Sequence, residues 1–403
     1  MAGPVTDYPN FNWTNEKPWS FFDCGFFYIW AMAKKKKVWK SPANDSAFRS
    51  KEDKIRQMLC DIVNGNSRLL GRPADLYDSI ADAIDDIEKY GENPKLQLEL
   101  LAWTLRCDFI CSRVDDDEPE LWEGLFYDAG TFFVEIAKDY PDKQYVSDLV
   151  HDLAVRHVGE EGRSFVFLSA SEFLSNEQIK ALLNELMAVV DGNDLPNRDD
   201  VLDAISDMAD DINDAADYAK AALMRDPQKS NATLIDIANS YFVSGDIEMA
   251  KQWLSDVDRP SGEDEEAYMD LQAGIADREG RKSDCIKIAE NLYEKYPKVI
   301  NLARLCQIVD GTRAKVLLED HIRYRNGGTG SLEFMQLLQG MKCYDLLESY
   351  VTTFEKELPG MDAELLKELS DNLEKENQKD LAEHIRKWTV EEPEEAEAFD
   401  ERE

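Results

Sequence analysis

Histidine is scarce in this chain. His151, His157, His321 and His384 are the four present, too few and too scattered for the usual metal or nucleophilic schemes. His151 and His157 lie six residues apart, so a helix would turn them to different sides, and no zincin-type Glu follows the first. Cysteine is also sparse, with seven in 403 residues. An odd number without paired spacing points to reduced thiols in a cytoplasmic protein, not to a disulfide framework. Cys107 and Cys111 share a helix face at i,i+4, but no second pair accompanies them, so both read as small packing residues. Cations are outnumbered, 46 Lys+Arg against 83 Asp+Glu, for a net charge of -37. Phosphate-backbone binding depends on Lys and Arg, and this balance argues against nucleic acid as a partner. Long apolar runs are missing too. Residues 18–33 (PWSFFDCGFFYIWAMA) come nearest, yet they fall short of about 20 residues and contain Asp23 and Gly25.

The 43% hydrophobic content is too high for a disordered acidic chain, so a core is available. Four hundred residues would suit two or three domains or one array of repeats. The charge is spread unevenly. Residues 1–49 carry a net +3 and end an aromatic run in Lys34, Lys35, Lys36 and Lys37, whereas residues 391–403 carry a net -7. The tail reads as a solvated, disordered segment. The aromatic and basic arm has its charges after the apolar residues, the reverse of a secretory signal. Weak peripheral membrane contact through the stretch from Phe21 to Lys37 is one reading. Others are a nuclear address, a cap on the body, or an extension ahead of a translation start at Met32.

From Ser50 onward the apolar spacing is three and four, which predicts helix after helix. Ser50 and Asp53 form a capping-box-like start, and Pro73 sits where a first-turn proline belongs. Leu76, Tyr77, Ile80, Ile84, Ile87 and Tyr90 make one stripe, with Asp75, Asp78, Asp82, Asp85, Asp86 and Glu88 turned to water. Further helical segments are expected at 94–112, 119–139, 143–158 and 176–190, the last opened by Ser175 and Gln178. The one strand candidate is 164–168 (SFVFL), too short and isolated to define a sheet. Residues 191–200 read as a linker. Leu195 and Pro196 stand where a calcium loop needs a ligand and a glycine. Beyond it, Asp207, Asp210, Asp211 and Asp214 are expected to face solvent on a helix pair at about 198–225.

The second half repeats. Gly245 with Ala250, and Gly280 with Cys285, place a turn glycine and a small residue at matching points 35 residues apart. The glycine ends one helix and the small residue lets the next approach it. Leu234, Ile237, Ala238, Tyr241, Gly245, Ala250 and Leu254, then Ala273, Gly280, Cys285, Ala289, Leu292 and Pro297, resemble tetratricopeptide repeats in order and spacing. Gln272 and Ala276 depart from that pattern. The likeness is good over 231–299 and degenerate afterwards, where Gly311, the Met341 and Lys342 junction, and Asn377 with Gln378 hold turn positions. Stretches 100–128 and 160–186 are similar to a family of uncharacterised bacterial helical proteins, a likeness that implies a cytosolic bacterial protein without an assigned activity.

The expected architecture is therefore all-α: a helical domain over 50–190 and, over 201–390, an α-solenoid of antiparallel helix pairs with tetratricopeptide-like repeats. Such repeats hold a protein or peptide, and the charge favours a basic one. The repeat analogy implies that Asn239, Tyr241, Asp270 and Arg304 line the binding face. The expected function is a non-enzymatic scaffold or adaptor without a cofactor. One alternative is an acidic mimic of nucleic acid that occupies a DNA-binding protein. Another is an enzyme using a divalent metal at Asp115, Asp116, Asp117 and Glu118. The loop 325–331 (RNGGTGS) lacks the Gly-Lys-Ser/Thr of a phosphate cradle and reads as a connector.

Overall fold

In the computed structural model the described residues are 45–111, 119–159, 161–192, 195–324 and 330–388. The aromatic run, the lysine cluster, the acids from Asp115 to Glu118, most of the 325–331 loop and the acidic tail lie outside them. Nineteen α-helices and no strand occur among the described residues. The chain divides into two compact units, Met1–Asp258 and Arg259–Glu403.

The first unit begins with α1 (Asp45–Val63), α2 (Pro73–Glu88) and α3 (Pro94–Leu105). Ser50 lies within α1, so the helix starts at Asp45 and not at the expected capping box. Pro73 and Pro94 each open a helix, where a missing N–H costs nothing. Along α2 the expected stripe is correct: Leu76, Ile80, Ile87 and Tyr90 are buried, and Tyr77 and Ile84 pack beside them. Of its acids, Asp75, Asp78, Asp82 and Asp85 are exposed, whereas Asp86 pairs with Lys51 and Lys89. Helix α3 has no polar face. Leu96, Leu98, Leu100, Leu101, Ala102 and Leu105 are all buried, because α1, α2, α4 (Pro119–Asp139) and α5 (Lys143–Val155) pack around it.

The SFVFL segment is not a strand. It forms most of α6 (Glu161–Leu168), which packs against α4 and against α8 (Arg198–Asp211). With no partner strand, its ladder groups are satisfied only by helical bonds, and Val166 and Phe167 enter the core from that helix. The close approach to α4 requires Gly162: a Cβ there would stand 2.6 Å from Phe126 Cβ. Helix α7 (Asn176–Gly192) has the reciprocal capping box expected of Ser175 and Gln178, with N–H to side-chain oxygen distances of 3.0 and 3.3 Å.

Helix pairs follow in sequence: α8 with α9 (Ala215–Arg225), then α10 (Asn231–Ser244) with α11 (Ile247–Ser255). The second unit continues the pattern with α12 (Glu263–Arg278) and α13 (Lys282–Lys295), α14 (Val299–Ile308) and α15 (Gly311–Tyr324), α16 (Leu332–Gly340) and α17 (Tyr344–Thr353), and α18 (Ala363–Lys375) and α19 (Lys379–Arg386). In this unit the first helix of one pair also touches the first helix of the next, α14 on α16 and α16 on α18. This is a helical-repeat arrangement.

One backbone device marks the pairs. Asn213, Gly245, Gly280, Lys342 and Asn377 all have left-handed φ between 53 and 91°. After each, the next amide donates five residues back: Asp214 to Ala209, Asp246 to Tyr241, Arg281 to Ala276, Cys343 to Leu338 and Gln378 to Leu373, at 2.8 to 2.9 Å. That is the Schellman closure of a helix C-terminus. Five residues beyond four of these turns, Ala250, Cys285, Leu347 and Ala382 are buried. Gly311 breaks the series. It is the first residue of α15 and has no left-handed φ; the chain turns there through Val309 at φ -95°, ψ 168°.

Candidate partner-binding surface

The four residues expected on a binding face divide between the units. Asn239 and Tyr241 lie on α10 in the first, both half-buried. Asp270 on α12 and Arg304 on α14 lie in the second and form an ion pair.

Tyr241 lines a groove of about 260 Å³ with Asn176, Lys180, Asp214, Ser244 and Asp246. The repeat turns build it. Asp214 and Asp246 follow the left-handed residues Asn213 and Gly245, and their carboxylates cap α9 and α11 by accepting from Asp217 N at 3.3 Å and Met249 N at 3.1 Å. Burial works to raise the Asp214 carboxyl, but the ammonium of Lys180, 2.9 Å away, and the amide of Asp217 outweigh it and hold the group below its ordinary value. Burial pushes the Tyr241 hydroxyl up, and the charges of Asp246 and Asp214 add to that. The groove thus offers two carboxylates, one of them already neutralised by a lysine, beside an aromatic side chain.

In the second unit the polar residues of the first helices bind one another. Glu266 of α12 is only 2% exposed and accepts from Lys298 Nζ at 2.7 Å and Asn301 Nδ2 at 2.8 Å. Glu265 accepts from Lys295 and from Tyr296 Oη. Burial raises the Asp270 carboxyl, and Arg304 opposes the rise. This seam of carboxylates and cations joins consecutive helix pairs and uses up the charges of Asp270 and Arg304.

Of the four acids expected to face solvent at 198–225, Asp210 is exposed, whereas Asp207, Asp211 and Asp214 engage neighbouring elements. Asp203 pairs with Arg225 of α9, Asp211 accepts from the amide and hydroxyl of Ser171, and Asp214 takes Lys180 of α7. Asp207 meets Ser164 of α6, and burial raises its carboxyl to about 7, helped by the nearby Asp210. At i,i+4 spacing Asp203, Asp207 and Asp211 run along one face of α8, and each meets a different neighbour.

Sequence patterns missed a buried polar cluster near α6. Arg163, 1% exposed, grips Asp108, 0% exposed, through Nε at 2.8 Å and Nη2 at 2.5 Å, and its Nη1 donates to the Arg156 carbonyl. The partners are 55 residues apart, so no local spacing reveals them. His157 is buried, at 1% exposure. Burial, with the positive charge of Arg163, depresses its ring to about 3. Cys107 is buried and its thiol is raised by burial; Cys111 is half-buried. No group of three or more His, Cys, Asp or Glu able to hold a metal ion occurs among the described residues.

In the 325–331 loop, Gly330 donates its amide to Glu357, and Ser331 caps α16 by accepting from Phe334 N at 3.3 Å. No helix among the described residues is long and apolar enough to cross a membrane. No protein-family model matches the chain, and no curated protein matches it.

Proposed function

We propose that this protein is a non-enzymatic scaffold that holds a basic segment of another protein on its helical repeats. The observation that carries the reading is the groove at Tyr241. It places one aromatic side chain beside two carboxylates at the turn of a repeat in a chain of net charge -37. A Lys or Arg side chain entering it would lie beside Tyr241 and reach Asp246, with attraction from the surrounding field. Asp270 and Arg304 serve the joint between repeats in this reading, and contact with the partner falls to Tyr241 and Asn239.

Affinity purification from the native host tests it, run with wild type, Tyr241→Ala and Asp246→Asn. Asn caps a helix about as well as Asp, so the second variant removes charge without removing the cap. The expected result is a stoichiometric basic partner retained by wild type and lost from both variants. Recovery of nothing above a charge-matched control protein, or equal recovery by all three, would refute the reading.

A further inference from the structure

We propose that the chain's own lysine cluster at 34–37 occupies the Tyr241 groove, so that a partner must displace it to bind. This rests on the reading of that groove as a site for a basic segment. Its two carboxylates are not equivalent. Asp214 is half-buried and pairs with Lys180 at 2.9 Å. Asp246 is exposed, its Oδ1 accepts from Met249 N at 3.1 Å, and no ion pair reaches it among the described residues. The groove therefore keeps one carboxylate open to a cation, beside the half-buried ring of Tyr241. A single ammonium can meet that carboxylate and that ring together.

Charge selects the occupant. Residues 34–37 are four consecutive lysines, and no other run of three or more Lys or Arg occurs in the sequence. They belong to a segment of net +3 in a chain of net -37, so the field of the body attracts this cluster more strongly than any other part of the sequence. The cluster lies outside the described residues, which begin at Asp45 with α1.

The connecting chain is long enough. Helix α1 packs on α3, α3 on α5 and α5 on α7, and α7 supplies Asn176 and Lys180 to the groove. Three helix-packing steps of roughly 8–10 Å amount to about 24–30 Å. Lys37 precedes Asp45 by eight residues and Lys34 by eleven, and such lengths extend to about 26 and 36 Å. A ligand tethered by so few residues acts at an effective concentration on the order of 1 mM. A basic segment with a Kd of about 0.1 mM for the open groove would then bind the whole chain about 10-fold more weakly. The arm thus acts as a built-in competitor that excludes weak basic sequences from the scaffold.

Fluorescence anisotropy with a labelled peptide of residues 30–40 (WAMAKKKKVWK) as probe tests this on the full chain. The variant Lys34→Ala/Lys35→Ala/Lys36→Ala/Lys37→Ala should bind the probe about 10-fold more tightly than wild type. Adding Asp246→Asn to it, with the helix cap kept, should abolish that gain, which a general loss of positive charge would not explain. Equal affinity of wild type and the lysine variant would overturn the proposal and leave the groove reading intact. A lysine variant that binds equally well with and without Asp246→Asn would overturn both. Carbodiimide coupling of an equal mixture of unlabelled and isotope-labelled chains then identifies whose arm is bound. Links from residues 34–37 to Asp246 within one isotope support the proposal, and links in the statistical mixture would assign the groove to the arm of a second copy and refute it.

Discussion

Removing Arg163 should deprive the Asp108 carboxylate, at 0% exposure, of its bidentate cation, and the size of that loss follows from the geometry. The pair is bidentate, and Arg163 also serves the Arg156 carbonyl. Stranding one member of a buried ion pair costs about 3–5 kcal/mol, and the lost carbonyl bond adds about 1 kcal/mol. Arg163→Met should therefore destabilise the chain by about 4–6 kcal/mol, a large share of the 5–15 kcal/mol typical of a domain. Asp108→Leu, which strands the guanidinium, should cost about 3–5 kcal/mol. The double variant replaces two desolvated charges by apolar groups and should lose less than either single variant, because desolvation consumes much of what a buried pair gains. Equilibrium urea unfolding at pH 7, read from midpoints at constant slope, measures all three. Single losses below about 1 kcal/mol, or losses that add in the double variant, would show that the cluster is not the electrostatic unit its geometry implies.

Gly162→Ala should lower stability by about 1–3 kcal/mol, since its Cβ meets Phe126 Cβ at 2.6 Å, while Gly124→Ala in α4, with open space around it, should be neutral or stabilising by up to about 1 kcal/mol; paired thermal melts read the contrast. Glu266→Ala leaves the buried Asn301 without its carboxylate and should cost about 2–3 kcal/mol, whereas Glu266→Gln retains an acceptor and should cost about 1 kcal/mol; equal losses would deny the seam its hydrogen-bonding role. Asp226 accepts from the hydroxyl and amide of Ser230, from Thr233 and from the Gln228 amide, and these hold its carboxyl down to about 2. Its contribution is complete above the ordinary carboxylate range and is lost as pH falls through about 2. Asp226→Asn should accordingly flatten the acid limb of a melting-temperature profile between pH 4 and 2.

How much of this could be seen in the chain depends on whether the signal is local. Helical periodicity exposed the α2 stripe, the Ser175 and Gln178 capping box and the Pro73 start, because each depends on residues within a turn or two of one another. Periodicity also located the repeat turns at Gly245 and Gly280, where glycine suits a left-handed φ. It said less where Asn213, Lys342 and Asn377 take the same conformation, since Asn enters that region with modest strain and Lys enters it only when the surrounding packing requires it. Composition misled at SFVFL, whose β-forming residues lie in α6 because no strand stands beside them and α4 and α8 supply a helical slot.

The acids mark the division most clearly. Counting charges predicts a chain of helices with acidic faces, and for Asp75, Asp78, Asp82 and Asp85 that is the whole account. For Asp203, Asp207 and Asp211 on α8 a similar spacing places each carboxylate against a different neighbour, and only the packing of other elements around α8 distinguishes the two sets. Local order along the chain determined an all-α protein with paired helices in its second half. Tertiary structure decided which charges meet a cation, which keep a proton and which are left to water, because burial and the opposing group come from elements tens of residues away.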